Sequence, residues 1–194
     1  MENVIGRAQG TLHAWQHARH THTNDRTQQH HVQPLFWQPP PNYFKCNIDA
    51  TFFTTEKKVS MRACLRDEKC TFIAALTAYC EAVMKVAEGE AWGLYQGIQW
   101  ISSLGYHNVI FELDCKMVVD DVHNSKMNLS EYGSIIQNCR TLLDHYNDFV
   151  VVFTRRQANG SAHALAREAL SHASRSTFVV IPFCIATIIM NETP

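Results

Sequence analysis

The sequence is short of charge. Only 18% of its 194 residues are Asp, Glu, Lys or Arg, against about 25% in an ordinary soluble domain. Its 17 basic and 18 acidic side chains leave a formal net charge of −1, which argues against a generic basic clamp on nucleic acid. It leaves open an enzyme that holds nucleic acid through metal ions. Long apolar runs are also lacking. The most apolar late stretch, Phe178 to Met190, contains Pro182 and falls short of the ~20 residues that span a bilayer, so no membrane partner is expected. Met1 to Gln33 has no apolar centre and does not read as a secretory signal. The seven cysteines (Cys46, Cys64, Cys70, Cys80, Cys115, Cys139, Cys184) include no Cys-x-x-Cys pair, so zinc-ribbon spacing is missing. An odd set of thiols is read most simply as free in a reducing compartment, with an intracellular location, nucleus or cytoplasm. No internal repeat is visible.

Histidine is plentiful by contrast. Six of the eleven (His13, His17, His20, His22, His30, His31) fall in the first 31 residues, within a stretch rich in Gln, Thr and Asn. Such a segment buries too little apolar surface to offset ordering entropy, so residues 1–33 read as a flexible leader. Its histidines are polar filler, or His20, His22, His30 and His31 capture a divalent metal without the help of nearby Cys or carboxylate spacing. Pro39, Pro40 and Pro41 mark an extended entry to a domain placed at 34–175, followed by a tail at 176–194. A chain of this length can bury about two-thirds of its unfolded surface.

From Phe44 to Phe52 apolar and polar residues alternate, a period of two that predicts a strand. Residues 59–66 and 71–79 are further strands joined by Asp67-Glu68-Lys69-Cys70, so the three form an antiparallel meander. From Glu88 to Ser103 the period changes: Ala91, Leu94, Ile98 and Ile101 form a helical stripe, with Gly105 as a stop. Strands follow at 109–114 and 149–155, both apolar on both parities. Between them lie a short helix over 116–123 and a longer one from Ser130 to about Tyr146. Asn159 can cap a last helix with Ala162, Leu165, Ala166, Ala169 and Leu170 turned inward. The expected fold is α/β, a five-stranded mixed sheet of three antiparallel then two parallel strands, flanked by helices.

Three acidic residues stand out by position. Asp49 lies mid-strand on the polar parity, Glu90 in the first turn of the first long helix, and Asp114 where the fourth strand gives way to a loop. Open α/β sheets place ligand sites at such carboxyl ends. Each has a plainer reading: a solvent-facing strand residue, helix-dipole compensation, or a helix cap. Together they are more specific, because the topology brings those three element positions together. Clustered carboxylates repel unless a cation binds, and hard oxygen donors suit Mg²⁺.

The stretches Trp37-Gln-Pro-Pro-Pro, Lys45-Cys-Asn-Ile-Asp-Ala, Cys64-Leu-Arg-Asp, Glu88-Gly-Glu-Ala-Trp-Gly-Leu, Glu112-Leu-Asp-Cys-Lys and Arg156-Gln-Ala-Asn-Gly-Ser-Ala-His-Ala-Leu-Ala-Arg occur in this order. The segment Trp37 to Glu192 thereby resembles the ribonuclease H-like domain of plant retrotransposon-derived, reverse-transcriptase-like proteins. The resemblance implies the ribonuclease H-like fold and metal-dependent hydrolysis of the RNA strand of RNA–DNA hybrids. It implies Asp49 as the ligand shared by two ions, with Glu90 and Asp114 as further ligands. Glu90 is preferred to Glu88 because Gly93, Gly97 and Ile98 then fall at the family's spacings, and such small residues let the helix sit close to sheet or substrate. Mg²⁺ is the implied cofactor, with Mn²⁺ an alternative, and RNA–DNA hybrid the implied partner of a monomeric domain. Two ions about 3.5–4 Å apart clamp an in-line displacement of this kind.

The sequence departs from that pattern at several positions. The fourth catalytic position, usually Asp, is His163, a poor ligand for Mg²⁺ but an acceptable one for Mn²⁺. As plainer readings, His163 bonds Asn159 or a sheet carbonyl, or shares a phosphate-facing helix surface with Asn159 and Arg167. Arg62 and Cys70 stand where Gly is common, and Ala50 follows Asp49 in place of another Gly. Where φ is positive, a non-Gly residue costs roughly 1 kcal/mol. Arg155, Arg156, Arg167 and Lys116, with Asn159, are candidate phosphate contacts, or ordinary solvated charge. Three readings follow: a hybrid-cleaving ribonuclease, a catalytically weakened nucleic-acid-binding module, and an interaction domain of the same fold.

Overall fold

The chain divides into two compact units, Met1–Phe36 and Trp37–Pro194. The computed structural model describes residues 39–124, 126, 128–155 and 175–181, all within the second unit. The leader, the last helix and, with them, Arg156, Asn159, His163 and Arg167 lie outside the described residues.

Three strands form first: β1 (Phe44–Phe53), β2 (Lys58–Arg66) and β3 (Phe72–Cys80). They pair antiparallel in sequence order, as a meander with short turns must. Helix α1 (Val86–Ser103) crosses to β4 (Val109–Leu113), which lies parallel to β1. Helices α2 (Lys116–His123) and α3 (Glu131–His145) then lead to β5 (Phe149–Phe153), parallel to β4. A short strand, β6 (Ser176–Phe178), adds antiparallel to β3. The sheet order is β5-β4-β1-β2-β3-β6. The expectation of five strands is therefore corrected to six among the described residues. Three residues carry no alternation of their own, and β6 exists because the edge of β3 offers it a ladder. No described helix is long and apolar enough to cross a membrane.

The apolar parity of β1 (Cys46, Ile48, Ala50) joins Met61, Ala63 and Leu65 of β2 and Leu76 of β3 in the main core. The stripe Ala91, Leu94, Ile98 and Ile101 of α1 closes that core. Two glycines set how closely the helix approaches. A Cβ on Gly97 would stand 2.4 Å from Ile48 Cδ1, and one on Gly93 would stand 3.3 Å from Met61 Cβ. Of the two expected roles, close approach to sheet or to substrate, these glycines serve the sheet. Gly105, at φ +72°, follows the helix C-cap Leu104 and ends α1 as expected.

The β2–β3 turn is held by Asp67, whose Oδ1 accepts from the N–H groups of Lys69 (2.9 Å) and Thr71 (2.7 Å). Cys70 in this turn has φ +63°, the left-handed backbone at which Gly would be unstrained. Arg62 has no such strain; it sits inside β2.

Candidate metal centre

The second parity of β1 looks polar in the sequence but is not solvated. Lys45, Asn47 and Asp49 are buried, as are Arg62 and Arg66 of β2, Thr77 of β3 and Glu112 of β4. Charges survive burial only when paired and hydrogen-bonded. Asn47 supplies the centre of one such group: its Nδ2 donates to Glu112 Oε2 at 2.7 Å, and its Oδ1 accepts from Arg66 Nη2 at 2.5 Å. Lys45 Nζ adds an ion pair with Glu112 Oε2 at 3.8 Å. Burial pushes the Lys45 ammonium below the usual lysine value, and the Glu112 carboxylate partly restores it.

This group fixes where the carboxylates meet. Asn47 and Glu112 are directly paired between β1 and β4. Asp49 and Asp114 each lie two residues further along, past the last rung of the β1–β4 ladder, where parallel strands leave their carboxyl ends open. Glu90 reaches the same place from α1. One carboxylate oxygen from each of Asp49, Glu90 and Asp114 lies within 4.8 Å of the others. Asp49 and Glu90 are each 5% exposed, while Asp114 is half-buried.

The plainer readings of the three can now be tested. Asp49 does not face solvent. Helix-dipole compensation at α1 belongs to Glu88: the helix begins at Val86, earlier than expected, and Glu88 Oε2 accepts from the Lys85 N–H at 2.8 Å. Glu90 therefore lies past the first turn. The N-cap of α2 is Cys115, not Asp114, and makes no side-chain cap bond. The three carboxylates lie close enough together to act on one ion. Ionised carboxylates this close repel, and a hard divalent cation with oxygen ligands relieves the repulsion. The donor set, oxygen throughout, fits Mg²⁺ or Mn²⁺ and not a soft metal.

Cys115 borders the site. Burial pushes its thiol up, and the Glu90 and Asp114 carboxylates add to that push. Lys116, expected at phosphate, is exposed at the start of α2 and pairs with Asp120 one turn on. In the sequence Arg62 reads only as a missing glycine. Antiparallel pairing puts it directly opposite Asp49, on the same face, with Nη1 donating to Thr51 Oγ1 at 2.9 Å. The signal for it was the strand parity combined with the four-residue turn that sets the β1–β2 register.

Comparison with known proteins places this architecture. No curated protein sequence matches the chain. Among solved structures, ribonuclease H1 from the halophilic archaeon Halobacterium salinarum superposes with a TM-score of 0.60 at 17% identity, covering 68% of this chain and 99% of that one. The N-terminal ribonuclease H domain of rv2228c from Mycobacterium tuberculosis gives 0.58 at 17%, covering 66% and 94%. LC11-RNase H1, in complex with RNA/DNA hybrid, gives 0.55 at 13%, covering 62% and 91%. At these identities the superpositions show a shared fold. A family model described as reverse transcriptase-like matches residues 47–169, more than half of the sequence and the stretch that carries all three carboxylates, and the chain therefore belongs to the reverse transcriptase-like family and bears a ribonuclease H-like domain.

Proposed function

We propose that the domain hydrolyses the RNA strand of RNA–DNA hybrids with divalent metal held by Asp49, Glu90 and Asp114. The observation that carries this reading is the convergence of three carboxylates, from β1, α1 and the end of β4, within 4.8 Å of one another at the central strands of the sheet. A structural ribonuclease H neighbour seen with RNA/DNA hybrid supports the substrate class.

The divalent cations of such a site supply an activated water and charge stabilisation for the leaving oxygen. The resemblance to ribonuclease H-like domains implies that Asp49 would be shared between ions, with Glu90 and Asp114 as the further oxygen donors. Because Asp49 and Glu90 are buried on rigid elements, their oxygens are held before substrate arrives, and that preorganisation is where a metal hydrolase gains most. Discrimination of RNA from DNA would rest on shape and the 2′-hydroxyl.

The test is cleavage of a labelled RNA–DNA hybrid in Mg²⁺ and in Mn²⁺, with Asp49→Asn as control. Loss of one of three ligands should lower the rate more than the 10–100-fold typical of outer-shell changes. Cleavage no faster than that of Asp49→Asn in both metals refutes the reading. A second reading, hybrid binding without cleavage, is favoured by the histidine at position 163. It predicts retained hybrid affinity in that same null result, and equal affinity for hybrid, duplex DNA and an unrelated polyanion would count against it.

A further inference from the structure

We propose that Arg62 is a resident counter-ion of the carboxylate site, lowering its affinity for free divalent cations so that metal loads well only together with substrate phosphates; the proposal rests on the metal-site reading above. Asp49 and Arg62 are opposite residues of antiparallel strands. Such pairs project from one face with Cβ atoms about 5 Å apart. Arg62 is 0% exposed, so its guanidinium cannot swing into solvent. Its Nη1 bond to Thr51 Oγ1, 2.9 Å, ties the charge to the β1 residue that follows Asp49 on the same face. Thus the guanidinium is fixed by packing and by hydrogen bonding on the face of the sheet that carries Asp49.

The electrostatic consequence follows from charge type. Guanidinium stays protonated at any pH the protein meets. Three ionised carboxylates carry three negative charges, and the positive charge of Arg62 offsets one of them. A divalent cation is drawn in by that sum, and in a buried site the difference is poorly screened. The same positive charge lets Asp49 stay buried and in place without an ion. Substrate phosphates restore negative charge at the site, so cation and nucleic acid bind with positive coupling.

Calorimetric titration of the full chain with MnCl₂, without nucleic acid, tests this. The wild type should bind weakly, with Kd about 1 mM or above. Arg62→Gln, which keeps a hydrogen-bond donor for Thr51 and removes the charge, should tighten Mn²⁺ at least about tenfold. Arg62→Lys should stay within about threefold of wild type. Equal affinity of Arg62→Gln and wild type overturns the proposal, and so does a wild-type Kd near 10 µM, a result that needs no variant. Thermal shift gives a second readout, because Mn²⁺ should raise the Tm of Arg62→Gln more than that of wild type. Asp49→Asn separates the two levels. Mn²⁺ binding that depends on Asp49 but not on Arg62 sinks this proposal alone. Mn²⁺ binding that ignores Asp49, or is lacking in every variant, sinks the metal-site reading as well.

Discussion

Replacing Asn47 by Leu should be among the most damaging single changes near the site. Leu has nearly the same shape, so no cavity or clash is introduced. What disappears is the hydrogen bond to Glu112 at 2.7 Å and the one from Arg66 at 2.5 Å. Both involve charged partners, for which a bond is worth about 1.5–3 kcal/mol. Asn47 and Arg66 are fully buried and Glu112 nearly so, so water does not replace the amide. The loss sums to about 3–6 kcal/mol, offset by roughly 1–2 kcal/mol from the added apolar burial. A net destabilisation near 3 kcal/mol corresponds to a Tm fall of about 6–12 °C in a domain of this size. Urea unfolding at pH 7, followed by tryptophan fluorescence and far-ultraviolet circular dichroism, measures it. The slope m should be unchanged, since the surface exposed on unfolding is the same. A loss under about 1 kcal/mol with unchanged m would refute the view that Asn47 is what lets Glu112 and Arg66 stay buried as charges. A comparison with Asn47→Asp sharpens the test. That change keeps an acceptor for Arg66 but sets a second carboxylate against Glu112, so its stability at pH 7 should recover as the pH falls towards the carboxylate range.

The pH dependence of the buried lysine has a definite sign. Lys45 is held below its ordinary value of 10.5, first by burial, so between its folded value and 10.5 the unfolded chain binds more protons. Stability contributed by this group therefore rises with pH across that alkaline window, and the rise should vanish in Lys45→Met when urea midpoints are compared from pH 8 to 10.5. Gly97→Val would place a Cβ 2.4 Å from Ile48 Cδ1; overpacking of this kind costs about 1–3 kcal/mol, and calorimetry should show a Tm lower by roughly 2–12 °C. Ser130→Ala removes the side chain that accepts from the Gly133 N–H at 3.2 Å at the start of α3; a loss of about 1 kcal/mol by urea unfolding is expected, and no change would show the cap to be idle. In the native protein a maleimide should label Cys80 and Cys115 ahead of Cys46, Cys64, Cys70 and Cys139, which are buried; burial also pushes the Cys139 thiol up to about 12, and mass spectrometry of the labelled chain reads the order.

Much of this architecture was legible in advance, and for identifiable reasons. Alternation over Phe44–Phe52, the stripe on α1 and the short turns determine element type, and the observed bounds of the first five strands and three helices differ from the expected ones by at most two residues. The trio Asp49, Glu90, Asp114 was legible because each sits at an element position that the topology brings together. The strand β6 was not, since a three-residue edge strand owes its existence to an unpaired neighbour. The role of Glu88 at the helix start was missed because the N-cap residue, Lys85, is not one of the usual capping types.

By itself the sequence determined the periodicities, and through them the order of strands and helices and the parity on which Asp49 lies. It also determined that no excess of positive charge is available to hold nucleic acid, so any such hold must come from specific placement or from metal. Only the tertiary structure decided that the polar parity of β1 is buried. Parity separates two faces but does not say which one meets water. Burial of Lys45, Asn47 and Asp49 is set by partners elsewhere in the chain, Arg62, Arg66 and Glu112, brought beside them by strand pairing. Tertiary structure likewise decided that the absent glycine at position 62 matters for its charge and not its backbone, because the register sets that arginine directly across from Asp49.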